Sequence, residues 1–469
     1  MSLRRGLVFC RVYSRYVAIF AVALLVLGWL GRGYRARPSG DNHYVYMAQG
    51  WLEGRLSLDG APPGYEAGRA DDWARVWTVE LGSGEVVRGQ RCRTRACRSE
   101  ERGVAVEMWR STAGELRCID RRDVIRRHST WYVSFPPGPA FVMLPGVAVW
   151  GLGFSDVLFT LLLASLLPAV MISFLDRVRG LRNEHLWAGL AWTFASPACF
   201  VGAHGRVWFT AQIVGSLALT LYVSCAWRMR RPAWAGLWLG LAVACRPHLL
   251  LAGLLFAAIW AKGEHRRRVD LVRAIAPLVV VLVGLGALNA GRFDDPFEFG
   301  HRYLEVRWQQ RMQEVGMFAP DYLARNLQCL LFLWPQFQPV APFVHVSIHG
   351  LGLLWSTPWV FFAPWGRDRF AMRGVLWLCV AVLALVPLYY HNSGQLQFSY
   401  RFALDWLPLA LIALACGGVL RRRAFRVAVL VAVAVQVYGG WMYAREPRRL
   451  FVIDPMGWPF AHEFQRIQP

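Results

Sequence analysis

Residues 155–179 read SDVLFTLLLASLLPAVMISFLDRVR. An apolar run reaches from Ser155 to Leu175 and stops at Arg177 and Arg179, with Arg182 just beyond. About 20 predominantly apolar residues are what a helix needs to cross a bilayer, and an arginine cluster at one end marks the cytoplasmic side. The same unit recurs along the chain. Apolar runs lie at roughly 16–31, 155–175, 186–203, 208–227, 233–245, 247–261, 274–290, 349–364, 374–390, 402–419 and 425–443, several of them shorter than about 20 residues. Cationic clusters fall in alternate connections: Arg177, Arg179 and Arg182; Arg228, Arg230 and Arg231; Lys262 with Arg266 to Arg268 and Arg273; Arg367, Arg369 and Arg373; Arg421 to Arg423. With Arg4, Arg5, Arg11 and Arg15 ahead of the first run, about eleven spans that start inside and end outside put every cluster on one face, whereas adding or dropping an early span would not.

Composition agrees. The 469-residue chain carries 52 Lys and Arg against 30 Asp and Glu, a net charge of +22, yet 56% of it is hydrophobic. Counting Gly and leaving out Tyr, the apolar share is roughly 62%, against about 45–50% for soluble domains. The charge is almost all arginine, clustered between apolar runs, so it orients membrane helices and does not call for nucleic acid. The expected fold is an all-α polytopic membrane protein with about eleven transmembrane helices and a small β-hairpin insert in the first exterior loop.

The expected organisation is a cytoplasmic start and first span over 1–31, a first exterior loop over 32–154 and spans two to seven over 155–290. An exterior loop over 291–348, spans eight to eleven over 349–443 and an exterior tail over 444–469 complete it. Residues 73–125 alternate apolar and polar side chains around Gly-containing turns, which predicts two small β-hairpins. Helix-like pieces flank them at 41–54 and 137–152. The second opens with Pro136, Pro137 and Pro139 and is broken by Pro145 and Gly146, so it reads as an amphipathic helix in the interface. Cys92, Cys97 and Cys118 share this loop; a Cys92–Cys97 disulfide suits an oxidising compartment, and zinc would need a fourth ligand such as His128 that the spacing does not request.

Several ionisable residues stand where apolar runs begin or end. In SGDNHYVYMAQGWLEGRLSL (39–58), Asp41 opens a helix whose Tyr44, Met47, Ala48 and Trp51 share one face, so the carboxylate is positioned close to the outer surface. Its bland reading is a helix cap. Arg246 and His248, in CRPHLL, interrupt an apolar region; an arginine at a span centre costs about 2.5–3.5 kcal/mol on insertion scales, so Arg246 snorkels, is paired or is functional. Arg206, in AHGRVW beside His204, sits in another exterior turn. In GRFDDPFEFGHRYLEVRW (291–308), Arg292, His301 and Arg302 could reach a phosphate, while Glu298 and Arg302 have ordinary ion-pair spacing. Asp294 and Asp295 before Pro296 read as a turn and not as a metal site. Arg401 and Asp405 are spaced for mutual neutralisation, or Arg401 could hold a lipid phosphate with Tyr400 and Gln397 adding hydrogen bonds.

These blocks resemble the GT-C superfamily of polytopic glycosyltransferases. The resemblance rests on an acidic residue soon after the first span, the following YMA helix and YVSFPPGPAFVMLPGVAVWGLG (132–153). It continues in SPACFVGAHGRVWFTAQIVGSLALTLYV (196–223), AVACRPHLLL (242–251), NAGRFDDPFEFGHRYL (289–304) and QLQFSYRFALDWLPLALIALA (395–415). It implies a polyprenyl-phosphate-linked sugar donor and, at the matching position, Asp41 as catalytic base of an inverting transfer to an envelope glycan, lipid or protein. The substrate and phosphate contacts expected with it are Arg206, Arg246, His248, Arg292, His301, Arg302 and Arg401. No cofactor is expected, because the second acidic residue of metal-assisted members is replaced by Asn42. The expected location is a bacterial inner membrane, with the N-terminus cytoplasmic and the C-terminus periplasmic. The rivals are a transporter or lipid flippase, which would show internal repeats and mid-membrane ionisable groups, and a GT-C-fold envelope protein without activity.

Overall fold

A computed structural model describes residues 3–31, 36–68, 70, 72–92, 106–262, 267–306, 308–339, 341–366 and 372–452. In chain order the first helices are α1 (Leu3–Leu30), α2 (His43–Leu52), α3 (Gly138–Trp150), α4 (Asp156–Arg179), α5 (Leu186–Thr193), α6 (Ala198–His204), α7 (Val207–Ala226) and α8 (Pro232–Cys245). They are followed by α9 (Gly253–Lys262), α10 (Arg268–Phe293), α11 (Gln309–Glu314), α12 (Leu323–Leu331), α13 (Leu353–Ser356), α14 (Arg373–Leu385), α15 (Leu407–Cys416) and α16 (Arg423–Arg445). The strands β1 (Trp73–Leu81), β2 (Val86–Arg91), β3 (Val106–Ser111), β4 (Leu116–Asp120) and β5 (Val124–Val133) form one sheet, and β6 (Gln336–Phe337), β7 (Val344–Ser347) and β8 (Phe451–Val452) a second. The described residues divide into two compact units. One draws on Met1–Asn42, Ser155–Val279 and Pro320–Ile467, the other on His43–Phe154 and Val280–Ala319.

In the first unit α7 is the central helix, buried along nearly its whole length and packed between α4 and α8. Its polar side chains are all answered inside the unit. Thr210 meets the Thr160 hydroxyl at 2.7 Å, Gln212 donates to the Arg401 carbonyl at 3.0 Å, and Ser216 donates to the Leu404 carbonyl at 2.8 Å. Away from water an unanswered polar group is costly, so these bonds fix the helix in place. Other helices turn large apolar side chains outward: Val17, Val22 and Leu25 on α1, and Val427, Leu430 and Val431 on α16, are exposed. Such apolar flanks on long helices suit acyl chains, and the chain is a multi-pass membrane protein.

Among the described residues, five helical stretches are long and apolar enough to cross a membrane: Tyr13–Leu30, Asp156–Arg179, Val207–Met229, Arg268–Phe293 and Arg423–Arg445. A sixth appears if Asn183–Thr193 and Ala198–His204, bent by 62°, count as one span. The other expected runs are shorter helices or are divided by 3-10 turns at Pro247–Ala252, Pro358–Trp365 and Arg401–Asp405. Pro197, Pro247 and Pro358 stand where helices restart, because proline lacks the N–H a continuing helix needs.

In the second unit the sheet is antiparallel in the order β4-β3-β2-β1-β5. Val79, Val87, Trp109 and Ile119 make one small core on it, while Ala74, Val76 and Tyr132 pack with Phe293 and Tyr303 in another. The two hairpins expected over 73–125 are present as β1–β2 and β3–β4. Sequence alternation missed β5, which pairs with β1 from Trp73↔Val133 onward, because Arg126, Arg127 and His128 hide its period of two. Cys97 lies outside the described residues; Cys118 is disulfide-bonded. Within 41–54 and 137–152 the chain forms α2 and α3, held together by Trp51 against Phe141 at 4.6 Å.

One close approach in the first unit gives a test. A Cβ added at Gly236 on α8 would sit 1.9 Å from the Ala274 carbonyl oxygen on α10, whereas at Gly284 it would meet nothing within 4 Å. Gly236→Ala should therefore lower the thermal midpoint by an amount equivalent to about 1–3 kcal/mol. Gly284→Ala should leave it level or slightly higher, as read from unfolding of purified protein in detergent.

Candidate functional site

Asp41 is positioned by its backbone before its side chain acts. Its N–H donates to the Ser39 hydroxyl at 3.2 Å, and its carbonyl accepts from Val207 N–H at 3.0 Å. Ser39 is itself hooked to Asp156, the first residue of α4, through its N–H at 2.7 Å and its hydroxyl at 2.5 Å. Asp156 in turn accepts the Thr160 hydroxyl on its carbonyl, and Thr160 meets Thr210 of α7. The segment before α2 is thereby laced to the first turns of both α4 and α7. Gly205 makes the lacing geometrically feasible: at φ +41° a side chain is strained, and a Cβ there would lie 2.6 Å from Val157 Cα. Directly after it, Arg206 Nε stands 3.5 Å from Asp41 Oδ2, both side chains part-exposed. The Arg206 guanidinium also lies 5.8 Å from the Tyr443 ring centre. His204 is turned away and buried, its Nδ1 2.5 Å from the Phe200 carbonyl oxygen.

The second cluster gathers around Asp405, which is 1% exposed. Arg246 Nη2 reaches its Oδ2 at 2.8 Å and His248 Nε2 reaches the same oxygen at 3.1 Å. Arg246 comes from the break between α8 and the 3-10 turn that Pro247 opens. The spacing of Arg401 and Asp405 suggests a mutual pair, but the segment is a 3-10 turn, in which residues i and i+3 eclipse and i and i+4 point apart. Arg401 faces elsewhere. It is 4% exposed, with Nη1 3.5 Å from Gln212 Oε1 and its guanidinium 4.8 Å from the Phe402 ring and 6.0 Å from the Phe209 ring. Arg246 lies over the same Phe402 ring at 5.2 Å. Two guanidiniums therefore flank one aromatic ring with a single buried carboxylate, and a positive charge is left over before His248 is counted. Arg401 Nε and the Tyr400 hydroxyl are buried with no hydrogen-bond partner among the described residues. Gln397, expected to help Tyr400, is occupied: it donates to the carbonyls of His349 and Ser393 and accepts from Arg401 N–H.

Aromatic contacts bridge the two clusters. Tyr443, beside Arg206, lies 6.1 Å from Phe209, and Phe209 lies against Arg401. Asp41, Arg206, Arg246, His248 and Arg401 thus belong to one helical unit.

The remaining expected contacts belong to the second unit and are used there. Arg292 is buried and gives its guanidinium to the carbonyls of Leu288 and Val133 and to Asn289 Oδ1, which makes it a tether between α10 and β5 instead of a free phosphate ligand. His301 sits edge-on to Phe135 at 5.8 Å. Arg302 pairs with Glu298 at 3.1 Å, as the spacing suggested, but Glu298 is 4% exposed and lies in a loop where its Oε1 accepts from Gly300 N–H. Asp295 caps a turn by accepting from Phe297 N–H, and Asp294 takes both oxygens to Arg88. Among the described residues no group of three His, Cys, Asp or Glu side chains is placed to hold a metal ion.

Sequence reasoning missed Asp156 and Gln212. Each carried a signal: an acid opening an apolar helix, and an amide inside one. Their partners lie 117 and 189 positions away, which no local pattern reports.

No family model matches the sequence, and no curated protein matches it. Two solved structures overlap with it. One is ArnT from Cupriavidus metallidurans bound to undecaprenyl phosphate, 14% identical at a TM-score of 0.48, over 92% of this chain and 77% of that one. The other is the oligosaccharyltransferase of Archaeoglobus fulgidus in the apo form, 12% identical at 0.43, over 97% of this chain. The chain spans 60% of the length of that oligosaccharyltransferase.

Burial pushes the Glu298 carboxyl above its ordinary value, with Arg302 and main-chain N–H groups pulling the other way. Folding therefore favours its protonated form. The resulting stabilisation is complete below the unfolded value of about 4.3 and is lost as pH rises through the folded one. Denaturation of wild type and Glu298→Gln between roughly pH 4 and 7 should show the wild-type advantage shrinking with rising pH.

Proposed function

We propose that the chain is a membrane glycosyltransferase that takes a sugar from a polyprenyl-phosphate donor and passes it to an acceptor of the cell envelope, a glycan, lipid or protein. The observation that carries this reading is the uncompensated guanidinium of Arg401, buried in an apolar helical unit beside Arg246. A buried cation asks for an anion, and the phosphate of a lipid-linked sugar is an anion that arrives from the bilayer. Arg401 Nε and the Tyr400 hydroxyl are donors available to its oxygens. His248 and Asp405 hold Arg246 in place.

In the proposed reaction Asp41 removes the proton from the acceptor hydroxyl. The acceptor oxygen forms a bond to the anomeric carbon as the bond from that carbon to the phosphate oxygen breaks. The electron pair leaves with the polyprenyl phosphate, whose developing charge Arg401 and Arg246 take up. A single displacement inverts the anomeric centre. Arg206 orients the Asp41 carboxylate. The residues named need no cofactor. The reading includes about eleven crossings in a bacterial inner membrane, the N-terminus cytoplasmic and the C-terminus outside, with Asp41 on the outer side.

Two variants test the roles separately. Asp41→Asn should abolish transfer from a polyprenyl-phosphate sugar while polyprenyl phosphate still binds. Arg401→Gln should weaken polyprenyl phosphate binding about 10- to 100-fold, the worth of a charge-assisted hydrogen bond. Titration of the purified protein with polyprenyl phosphate and a product assay check both; unchanged binding by Arg401→Gln would remove the cationic cluster from the site. Movement of intact lipid across vesicles without transfer would favour a flippase.

A further inference from the structure

The opposite end of α7 carries a second feature that the proposed reaction does not use. Beyond its last residue the chain enters a turn in which Arg228 and Met229 both adopt positive φ, 54° and 55°. Two consecutive non-glycine residues in the left-handed region are disfavoured and persist only where the surroundings hold them. Here Arg231 N–H bonds back to the Cys225 carbonyl at 3.1 Å and closes the end of α7. The turn folds Arg230 and Arg231 over a cleft of about 560 Å³ between the ends of α4 and α7 and the start of α8.

Arg177 of α4 enters the same cleft, its Nη2 hydrogen-bonded to the buried Ser224 hydroxyl at 2.7 Å. Trp234 and Trp238 complete the wall, their rings stacked 6.4 Å apart, with Trp234 exposed. Three arginines therefore line a cavity to which none of the described lining residues contributes a carboxylate, and none of the three forms an ion pair among the described residues. Helix-end cations complement the helix dipole and orient the spans, which accounts for their presence. It does not account for a strained turn that converges them on a cavity.

We propose that this cleft binds the phosphate head group of an anionic membrane phospholipid. Phosphate oxygens would take the forked donors of Arg177, Arg230 and Arg231, and the tryptophan pair would lie against the glycerol and upper acyl region, where indole rings concentrate in bilayers. The exposed Trp234 at the cleft mouth and the exposed Leu237 of α8 favour a lipid over a free anion. The 20 residues of α7 place this cleft about 30 Å from Arg206, so it is separate from the donor-phosphate site.

The experiment is native mass spectrometry of the full chain released from nanodiscs of equal phosphatidylglycerol and phosphatidylcholine, with inorganic phosphate at matched concentration as a separate arm. Wild type should retain phosphatidylglycerol at least tenfold over phosphatidylcholine, and phosphate should not displace it. The triple variant Arg177→Gln, Arg230→Gln, Arg231→Gln should lose that preference while still binding polyprenyl phosphate. Equal retention of the two lipids by wild type overturns the proposal without any variant. Full preference in the triple variant, or displacement by inorganic phosphate, overturns it as well. Should the triple variant misfold, Trp234→Ala serves in its place, with the expectation of reduced phosphatidylglycerol retention.

Discussion

A guanidinium taken out of water must be answered by charge or by hydrogen bonds, and in this helical unit one carboxylate is asked to answer two. Asp405 goes to Arg246 and His248. Arg401 is left with an amide oxygen and two aromatic faces. What holds that arrangement is α7. Gln212 and Ser216 bond the carbonyls of Arg401 and Leu404, and so fix both the depth and the rotation of the 401–405 turn.

The helical class could be read from the sequence because long apolar runs with arginines at alternate ends suit membrane-spanning helices and little else. α4, α7, α10 and α16 follow that pattern closely. Continuity was harder to read. Hydropathy averages composition, so the run at 349–364 resembles a span although Pro358 restarts the chain as a 3-10 turn. The fifth strand was obscured for a related reason: Arg126, Arg127 and His128 interrupt apolar alternation, yet nine positions of pairing with β1 depend on backbone groups that carry no sequence signal.

Individual charged residues at the site stood out, since an arginine or aspartate beside an apolar run is expensive wherever it sits. Pairings did not. Arg246 and Asp405 are 159 positions apart, and the nearer candidate, Arg401, has suitable spacing only if the segment is α-helical. The 3-10 geometry that separates them, bonded to α7 through Gln212 and Ser216, is not announced by the string SYRFALDWLP. Arg292 shows the converse. It reads as a phosphate ligand because it follows an apolar run, but its guanidinium is spent on main-chain and amide oxygens within its own unit.

For the proposed displacement, spacing matters more than the identity of any one cation. The base and the phosphate cations must stand on opposite sides of the anomeric carbon, far enough apart for a sugar to lie between them. Inverting hydrolases solve the same problem by keeping their two carboxyl groups about 6.5–9.5 Å apart. Here Arg206, which orients Asp41, begins α7, and Gln212, which meets Arg401, lies six residues on, a rise on the order of 9 Å. That rise is set by the main-chain bonds of α7, while Thr210, Gln212 and Ser216 fix the helix against Thr160 and the carbonyls of Arg401 and Leu404. A single buried helix therefore connects the residue that meets Asp41 with the residue that meets Arg401.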